Sequence, residues 1–299
     1  MLKAFSRDKR ELVVADFLYA VPYHPAHPLA ALYEVELIVA VKMYGPGELA
    51  FMAFCSQNKP AVFADITYGF YPVFADMNGV PYREIPLGEK LRIVPEDYIN
   101  AGGTLFIANP NAHTGIALSR NEIEEILAGN PNDLVIVDEA YVDFGAESSL
   151  PLLAKYENLL VIQTFSKSRS LAGARLGFGV ASEEIIRDLN TIRNSTNPYN
   201  INSMTMAAGV GVLEDEPYTQ ENCKQVIANR RYTEKRLKDM GFEMTDSVSN
   251  FLFIRHPRLD GGLIYEEMKK NPDYPRYESL IYAAGTRTEG ETAPFPRRP

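Results

Sequence analysis

The chain of 299 residues has no tryptophan, two cysteines and four histidines, and each scarcity closes off a class of protein. Cys55 and Cys223 stand far apart, so neither a disulfide framework nor a thiolate metal cluster is available. His24 and His27 lie close together but among prolines, with no cysteine or acid pair beside them, and read as loop rather than metal ligands. No purely aliphatic run exceeds the five residues Leu37–Val41, far short of a membrane-spanning helix. The first residues, Met1 to Asp8, have no apolar stretch behind their charges, so a secretory signal is not expected. Positive charge is also short: 30 basic residues face 39 acidic ones, a net charge of −9. That balance offers no footprint for nucleic acid or an anionic membrane. The expectation is a reduced, cytoplasmic protein.

What is present is an ordinary globular core. Hydrophobic residues make up 46% and charged residues 23%, which excludes global disorder. Short apolar runs at Ala61–Ala64, Leu105–Ala108, Leu134–Val137, Leu159–Gln163 and Gly177–Val180 suit strands covered on both faces, as in a parallel sheet. Ser119 followed by Glu122 forms a capping-box pattern ahead of Ile123, Ile126 and Leu127. Ser182 opens a second helix with Glu183 and Glu184 in its first turn, and a basic helix runs from about Cys223 to Met240, its Lys and Arg read as a solvated face. Strands alternating with helices predict an α/β sandwich. The expected division is an atypical N-terminal segment, 1–46, a large domain, 47–215, and a small C-terminal domain, 216–299, with a frayed tail.

Four segments carry chemistry. Thr164-Phe165-Ser166-Lys167 follows a strand candidate, and Arg175 lies eight positions beyond Lys167. Lys167 is suited to bond an aldehyde cofactor, with Thr164, Ser166 and Arg175 on a phosphate; by itself the segment reads equally as a solvated basic loop. Val135-Ile136-Val137-Asp138-Glu139-Ala140-Tyr141 ends an apolar strand in acids, where open α/β sheets place their ligands. Asp138 there is suited to hold a pyridinium nitrogen protonated, and Tyr141 to donate to a phenolate oxygen. The turn Asn109-Pro110-Asn111-Ala112-His113-Thr114-Gly115 and the aromatic segment Thr67-Tyr68-Gly69-Phe70-Tyr71, in which Tyr68 would stack on a flat ring, are weak signals alone.

In this order, Tyr68, Asn111 with Thr114-Gly115, Asp138 with Tyr141, and Lys167 with Arg175 resemble the fold-type-I aminotransferases that use pyridoxal 5'-phosphate. The wording Phe165-Ser166-Lys167-Ser168-Arg169-Ser170-Leu171-Ala172-Gly173 and Val137-Asp138-Glu139-Ala140-Tyr141-Val142-Asp143-Phe144 is similar to histidinol-phosphate aminotransferases. The resemblance runs from about Leu49 to about Lys270. It implies a three-layer α/β/α large domain with a smaller α+β domain, pyridoxal 5'-phosphate as cofactor, and a homodimer without nucleic-acid or membrane partners. The catalytic residues would be Lys167, Asp138 and Tyr141, with Tyr68, Asn111, Thr164, Ser166 and Arg175 binding the cofactor. The implied reaction moves the amino group of L-histidinol phosphate to 2-oxoglutarate, a step of histidine biosynthesis. Another aminotransferase or a phosphothreonine decarboxylase shares the cofactor residues and stays open, as does a degenerate, non-catalytic protein, cofactor-binding or apo.

Three departures from the family pattern bear on this. Met43-Tyr44-Gly45-Pro46-Gly47-Glu48 stands where the family has Gly-Asn-Gly-Ser-Asp-Glu; the serine and one acid are missing, and Pro46 removes a phosphate-facing N–H. The family's Asn-Pro-Thr-Gly turn reads Ala112-His113-Thr114-Gly115, with the asparagine one place early. Ile281 occupies the place of the family's substrate-gripping arginine, for which Arg276 or Arg287 would have to substitute. These altered ends are expected to impair catalysis in a core that still folds.

Overall fold

A computed structural model of the chain describes residues 46–197 and 201–270. The expectations for residues 1–45, Ile281, Arg276, Arg287 and the C-terminal tail lie outside the described residues.

The apolar runs become the middle of a six-stranded sheet. Its strands are β1 (Ala61–Ala64), β2 (Tyr82–Ile85), β3 (Thr104–Ala108), β4 (Val135–Asp138), β5 (Leu159–Thr164) and β6 (Gly177–Val180), in the spatial order β2-β1-β3-β4-β5-β6. β1 and β3 are buried throughout, and in β4 and β5 only the last residue is less than buried. Helices cover both faces. On one lie α1 (Pro46–Phe54), α2 (Phe70–Met77) and α4 (Glu183–Thr196), whose Leu49, Phe51, Tyr71, Ile185 and Leu189 pack with Phe63, Phe106 and Ile136 of the sheet. On the other lies α3 (Arg120–Ala128), where Ile123, Ile126 and Leu127 meet Val62, Leu105 and Val135. Each such large side chain, taken out of water, contributes about 1.5–3 kcal/mol before the entropy of ordering is subtracted. The result is the three-layer α/β/α arrangement.

Three differences from the sequence expectation have local causes. β2 carries Tyr-Arg-Glu before its one buried residue, Ile85, because it is an edge strand paired only to β1. β6 pairs antiparallel to β5, with Thr164 opposite Gly177. The 12 residues between them hold a short 3-10 turn rather than a crossover helix, so the chain folds back on itself. The basic helix begins earlier than its charges suggest: α6 runs Glu216–Asp239, opened by Asp215, whose carboxylate accepts from the Tyr218 N–H. α5 (Ser203–Glu214) precedes it; the two-residue strands β7 (Glu243–Met244) and β8 (Ile254–Arg255) and helix α7 (Gly261–Lys269) follow. Among the described residues no helix is long and apolar enough to cross a membrane.

Helix α3 starts as its sequence predicts. Ser119 Oγ accepts from the Glu122 N–H, and Glu122 accepts in return from the Ser119 N–H at 2.7 Å. Ser182 stands at the N-cap of α4 as expected, but its side chain makes no capping bond; its hydroxyl donates to the Glu157 carbonyl instead.

Candidate active site

Because β1, β3, β4 and β5 are parallel, their C-terminal ends all deliver side chains to one edge of the sheet. The strand order reverses between β1 and β3, and at such a reversal the connections leave in opposite directions and open a crevice. A cleft of about 420 Å³ lies there. Tyr68 reaches it from the segment after β1, Pro110 and Ala112 from the turn after β3, and Asp138, Ala140 and Tyr141 from the end of β4. Thr164, Ser166, Lys167 and Arg175 come from the β5–β6 connection, and Gly47 and Glu48 from the start of α1. Seven of the eight residues expected to hold a cofactor thus share one cavity.

Asp138 is held firmly. Its Oδ2 accepts from the Tyr71 hydroxyl at 3.2 Å and its Oδ1 from the Ala140 N–H at 3.1 Å. Burial raises the affinity of this carboxyl for a proton, opposed by those two donors and by the positive charge of Lys167. Tyr71, inside a cluster with Phe51, Phe63 and Phe106, is pushed well above the ordinary phenol range by burial and by Asp138. It remains a donor at any physiological pH. The hydroxyl of Tyr71 escapes a reading of the sequence because its neighbourhood is aromatic; only its three-residue spacing from Tyr68 on a helical turn hints that both face the cleft.

Lys167 opens into the cleft with its Nζ 5.2 Å from the centre of the Tyr141 ring. Desolvation and the neighbouring Arg175 lower its pKa, against the pull of Asp138. Tyr141 is raised to about 12 by burial and then by Asp138, and its ring meets Phe251 edge-on at 5.0 Å. Tyr68 is partly exposed, stacks at 5.7 Å on Phe70, and is raised first by burial and then by Asp138. Arg175 has a left-handed backbone (φ 55°) and an exposed side chain that donates to Ala172 O at 3.4 Å. Thr164 Oγ1 donates to Leu176 O and accepts from the Ser166 N–H at 3.1 Å.

Asn111 is the exception. Its Oδ1 accepts from the Thr67 hydroxyl at 2.7 Å, and its Nδ2 donates to Ile66 O at 2.8 Å and to Thr114 Oγ1 at 3.2 Å. The amide is therefore engaged at both atoms and buried behind the turn, and Pro110 and Ala112 face the cleft in its stead. One basic residue of α6 is also not solvated: Arg230 is nearly buried and donates to Phe144 O at 3.1 Å and to Ser249 O. His113 is half-buried and lowered by desolvation, while the His256 ring meets Phe242 edge-on at 5.1 Å. Among the described residues no group of three or more His, Cys, Asp or Glu is placed to hold a metal ion.

Solved structures of the same fold include the histidinol-phosphate aminotransferase of Clostridium acetobutylicum, 22% identical, with a TM-score of 0.71 over 81% of this chain and 76% of that one. The histidinol-phosphate aminotransferase of Sinorhizobium meliloti, solved in complex with pyridoxal-5'-phosphate, is 19% identical with a TM-score of 0.69, covering 78% and 65%. The fold is that of the type I pyridoxal-phosphate transferases. The model for aminotransferase class I and II matches residues 24–270, and the chain belongs to that family. Among curated relatives, histidinol-phosphate aminotransferases of Lactococcus lactis subsp. cremoris (strain MG1363) and Acinetobacter baumannii (strain AB307-0294) are each 44% identical, over 74% and 76% of this chain. The chain spans 62% and 63% of the length of those two relatives.

Proposed function

We propose that the cleft binds pyridoxal 5'-phosphate and that the protein transfers the amino group of L-histidinol phosphate to 2-oxoglutarate, in histidine biosynthesis. The observation that carries this is the placement of Lys167 and Asp138 in one cavity, with Ser166, Thr164 and Arg175 on the same wall. The names of the relatives supply the substrate class.

The residues fit the cofactor by their chemistry. A partly buried carboxylate with two fixed donors, an aromatic wall, a primary amine and a guanidinium with hydroxyls answer, in turn, to a pyridine nitrogen, a flat ring, an aldehyde and a phosphate. When bound, the cofactor supplies an aldehyde carbon that bonds amines and a ring that accepts electrons from the substrate's α-carbon. Lys167 would hold the aldehyde, and its Nζ is the group that would move a proton at the substrate's α-carbon. The lowered pKa of Lys167 favours the neutral amine this needs. Asp138 would keep the ring nitrogen protonated, its geometry set by Tyr71 and the Ala140 N–H. Tyr141 stays a phenol at neutral pH and would donate to the ring oxygen. Tyr68 would cover the ring, and Arg175, Ser166 and Thr164 would bind the phosphate.

The same reading divides the chain into a cofactor-bearing domain, 47–215, and a smaller C-terminal domain from 216, in a cytoplasmic homodimer. Ala112 faces the cleft while the Asn111 amide is engaged behind the turn, so the ring oxygen would have Tyr141 without the asparagine beside it; this favours a second reading, a protein that holds the cofactor and turns over slowly. Adding the cofactor, reducing with borohydride and mapping the mass gained tests both. The expected product is a reduced adduct on the peptide containing Lys167, together with glutamate formation from L-histidinol phosphate. Adduct without turnover selects the second reading. No adduct overturns both.

A further inference from the structure

We infer that Asp143 is a positioning residue for Lys167, acting through Ser168 and Arg169; the inference rests on the proposed cofactor role of Lys167. The loop bearing Lys167 leaves β5 and returns as β6; around the lysine its backbone bonds run from Leu171 N to Phe165 O at 2.9 Å and from Ser170 N to Lys167 O at 3.2 Å, with Phe165 N to Leu176 O, Ala174 N to Leu171 O and Arg175 N to Ala172 O closing the rest. Lys167 itself is exposed to the cleft, but the next two residues turn inward. Ser168 is 5% exposed, and the Arg169 side chain is 8% exposed, lying 5.5 Å over the Phe165 ring.

Both of those residues converge on one atom. Asp143 Oδ2 accepts from the Ser168 hydroxyl and from Arg169 Nη1, the latter at 2.9 Å. Asp143 sits in the one-turn 3-10 segment Val142–Phe144, directly after Tyr141. That segment is anchored in turn, since Phe144 O accepts from Arg230 of α6. One carboxylate therefore joins the loop that carries the amine to the loop that carries Asp138 and Tyr141. It also supplies the charged partner of a nearly buried guanidinium whose Nε has no hydrogen-bond partner. A buried charge left without its partner relocates or drags its surroundings, and here its chain neighbour but one is the reacting amine. Asp143 is not among the residues that line the cleft.

Displacement of a reacting group by about 1 Å costs on the order of 10²-fold in rate. The test uses the full chain with pyridoxal 5'-phosphate. The rate at which the Lys167 adduct forms and the pH midpoint of its visible band are compared for wild type, Asp143→Ala, Asp143→Asn and Ser168→Ala. Asp143→Ala is expected to slow adduct formation by about 10²-fold and to move the midpoint. Asp143→Asn keeps an acceptor for both donors and is expected to restore most of the rate. Ser119→Ala, which weakens the α3 cap far from the cleft, lowers the melting temperature and serves as the stability control; it should leave rate and midpoint alone. If Asp143→Ala does not fold, Ser168→Ala carries the test, with a slowed rate and a moved midpoint expected. Wild-type rates and midpoints in the variants that fold would overturn the positioning role while the functional reading stands. Absence of any adduct in wild type would overturn the functional reading and this inference together.

Discussion

Gly115 ends the turn after β3, and its backbone adopts φ +70°, a conformation an L side chain rarely takes. A methyl added there would lie 2.0 Å from Ser247 Oγ and 2.6 Å from Ser247 Cβ. Ser247 cannot rotate away freely, because its hydroxyl is tied to Ser249 Oγ at 2.9 Å and donates to Phe251 O at 2.6 Å. The substitution Gly115→Ala thus meets three costs. The left-handed backbone costs about 1–2 kcal/mol with a Cβ present. The overlap with Ser247 adds about 1–3 kcal/mol of the overpacking kind. Shifting the two segments apart loses the bond from Val248 N to Gly115 O, 2.8 Å long, at about 0.5–1.5 kcal/mol. The sum is a loss of about 2.5–6.5 kcal/mol, or roughly 5–26 °C in melting temperature for a chain of this size. Thermal melting followed by circular dichroism and tyrosine fluorescence measures it, since there is no tryptophan to report. Gly211 in α5 has nothing within 4 Å of an added Cβ, so Gly211→Ala should instead stabilise by about 0.5–1 kcal/mol. A loss below about 1 kcal/mol in Gly115→Ala would refute the reasoning, showing that the serine seat yields and that the C-terminal segment is not pinned to the turn.

Glu139, 1% exposed, accepts from the Ser149 N–H, the Ser148 hydroxyl and the Gln163 amide at the cleft wall. Glu139→Ala strands two buried donors, the Ser149 N–H and the Gln163 amide, so urea unfolding should show a loss of about 2–6 kcal/mol, at about 1–3 kcal/mol per unsatisfied group. Burial raises the Glu48 carboxyl, so the folded protein holds that proton more tightly than the unfolded chain does. Its stabilising contribution is full below the unfolded pKa and is lost as pH rises through the folded one. Glu48→Gln should therefore be more stable than wild type at pH ~7, with the gain shrinking toward pH ~4; denaturation at both pH values checks the sign. Ser119→Ala removes one half of the capping box of α3 and should cost about 1 kcal/mol, read by thermal melting.

Much of this was legible from local pattern. The unbroken apolar runs located five of the six strands of the large sheet because a strand buried on both faces has no polar side to show. β2 escaped because an edge strand tolerates Tyr-Arg-Glu, and the direction of β6 escaped because composition is blind to which way a strand runs. Among the residues lining the cleft, Lys167, Asp138 and Arg175 announced themselves as charges beside apolar strands, and Tyr141 by its place just after Asp138. Asn111 shared their sequence signature but not their cavity, since its amide is consumed by Thr67, Ile66 and Thr114.

The sequence by itself determined which segments had to leave water, where α3 begins, and which side chains carry reactive chemistry; these depend on residue type and spacing over a few positions. Only the tertiary structure decided how those groups meet. The Tyr71 hydroxyl on the Asp138 carboxylate, Asp143 beneath the Lys167 loop and Arg230 between Phe144 and Ser249 join residues separated by 67, 26 and 86 positions. No local propensity specifies such pairs. They exist because the parallel strands end at one edge and bring distant loops within hydrogen-bond reach.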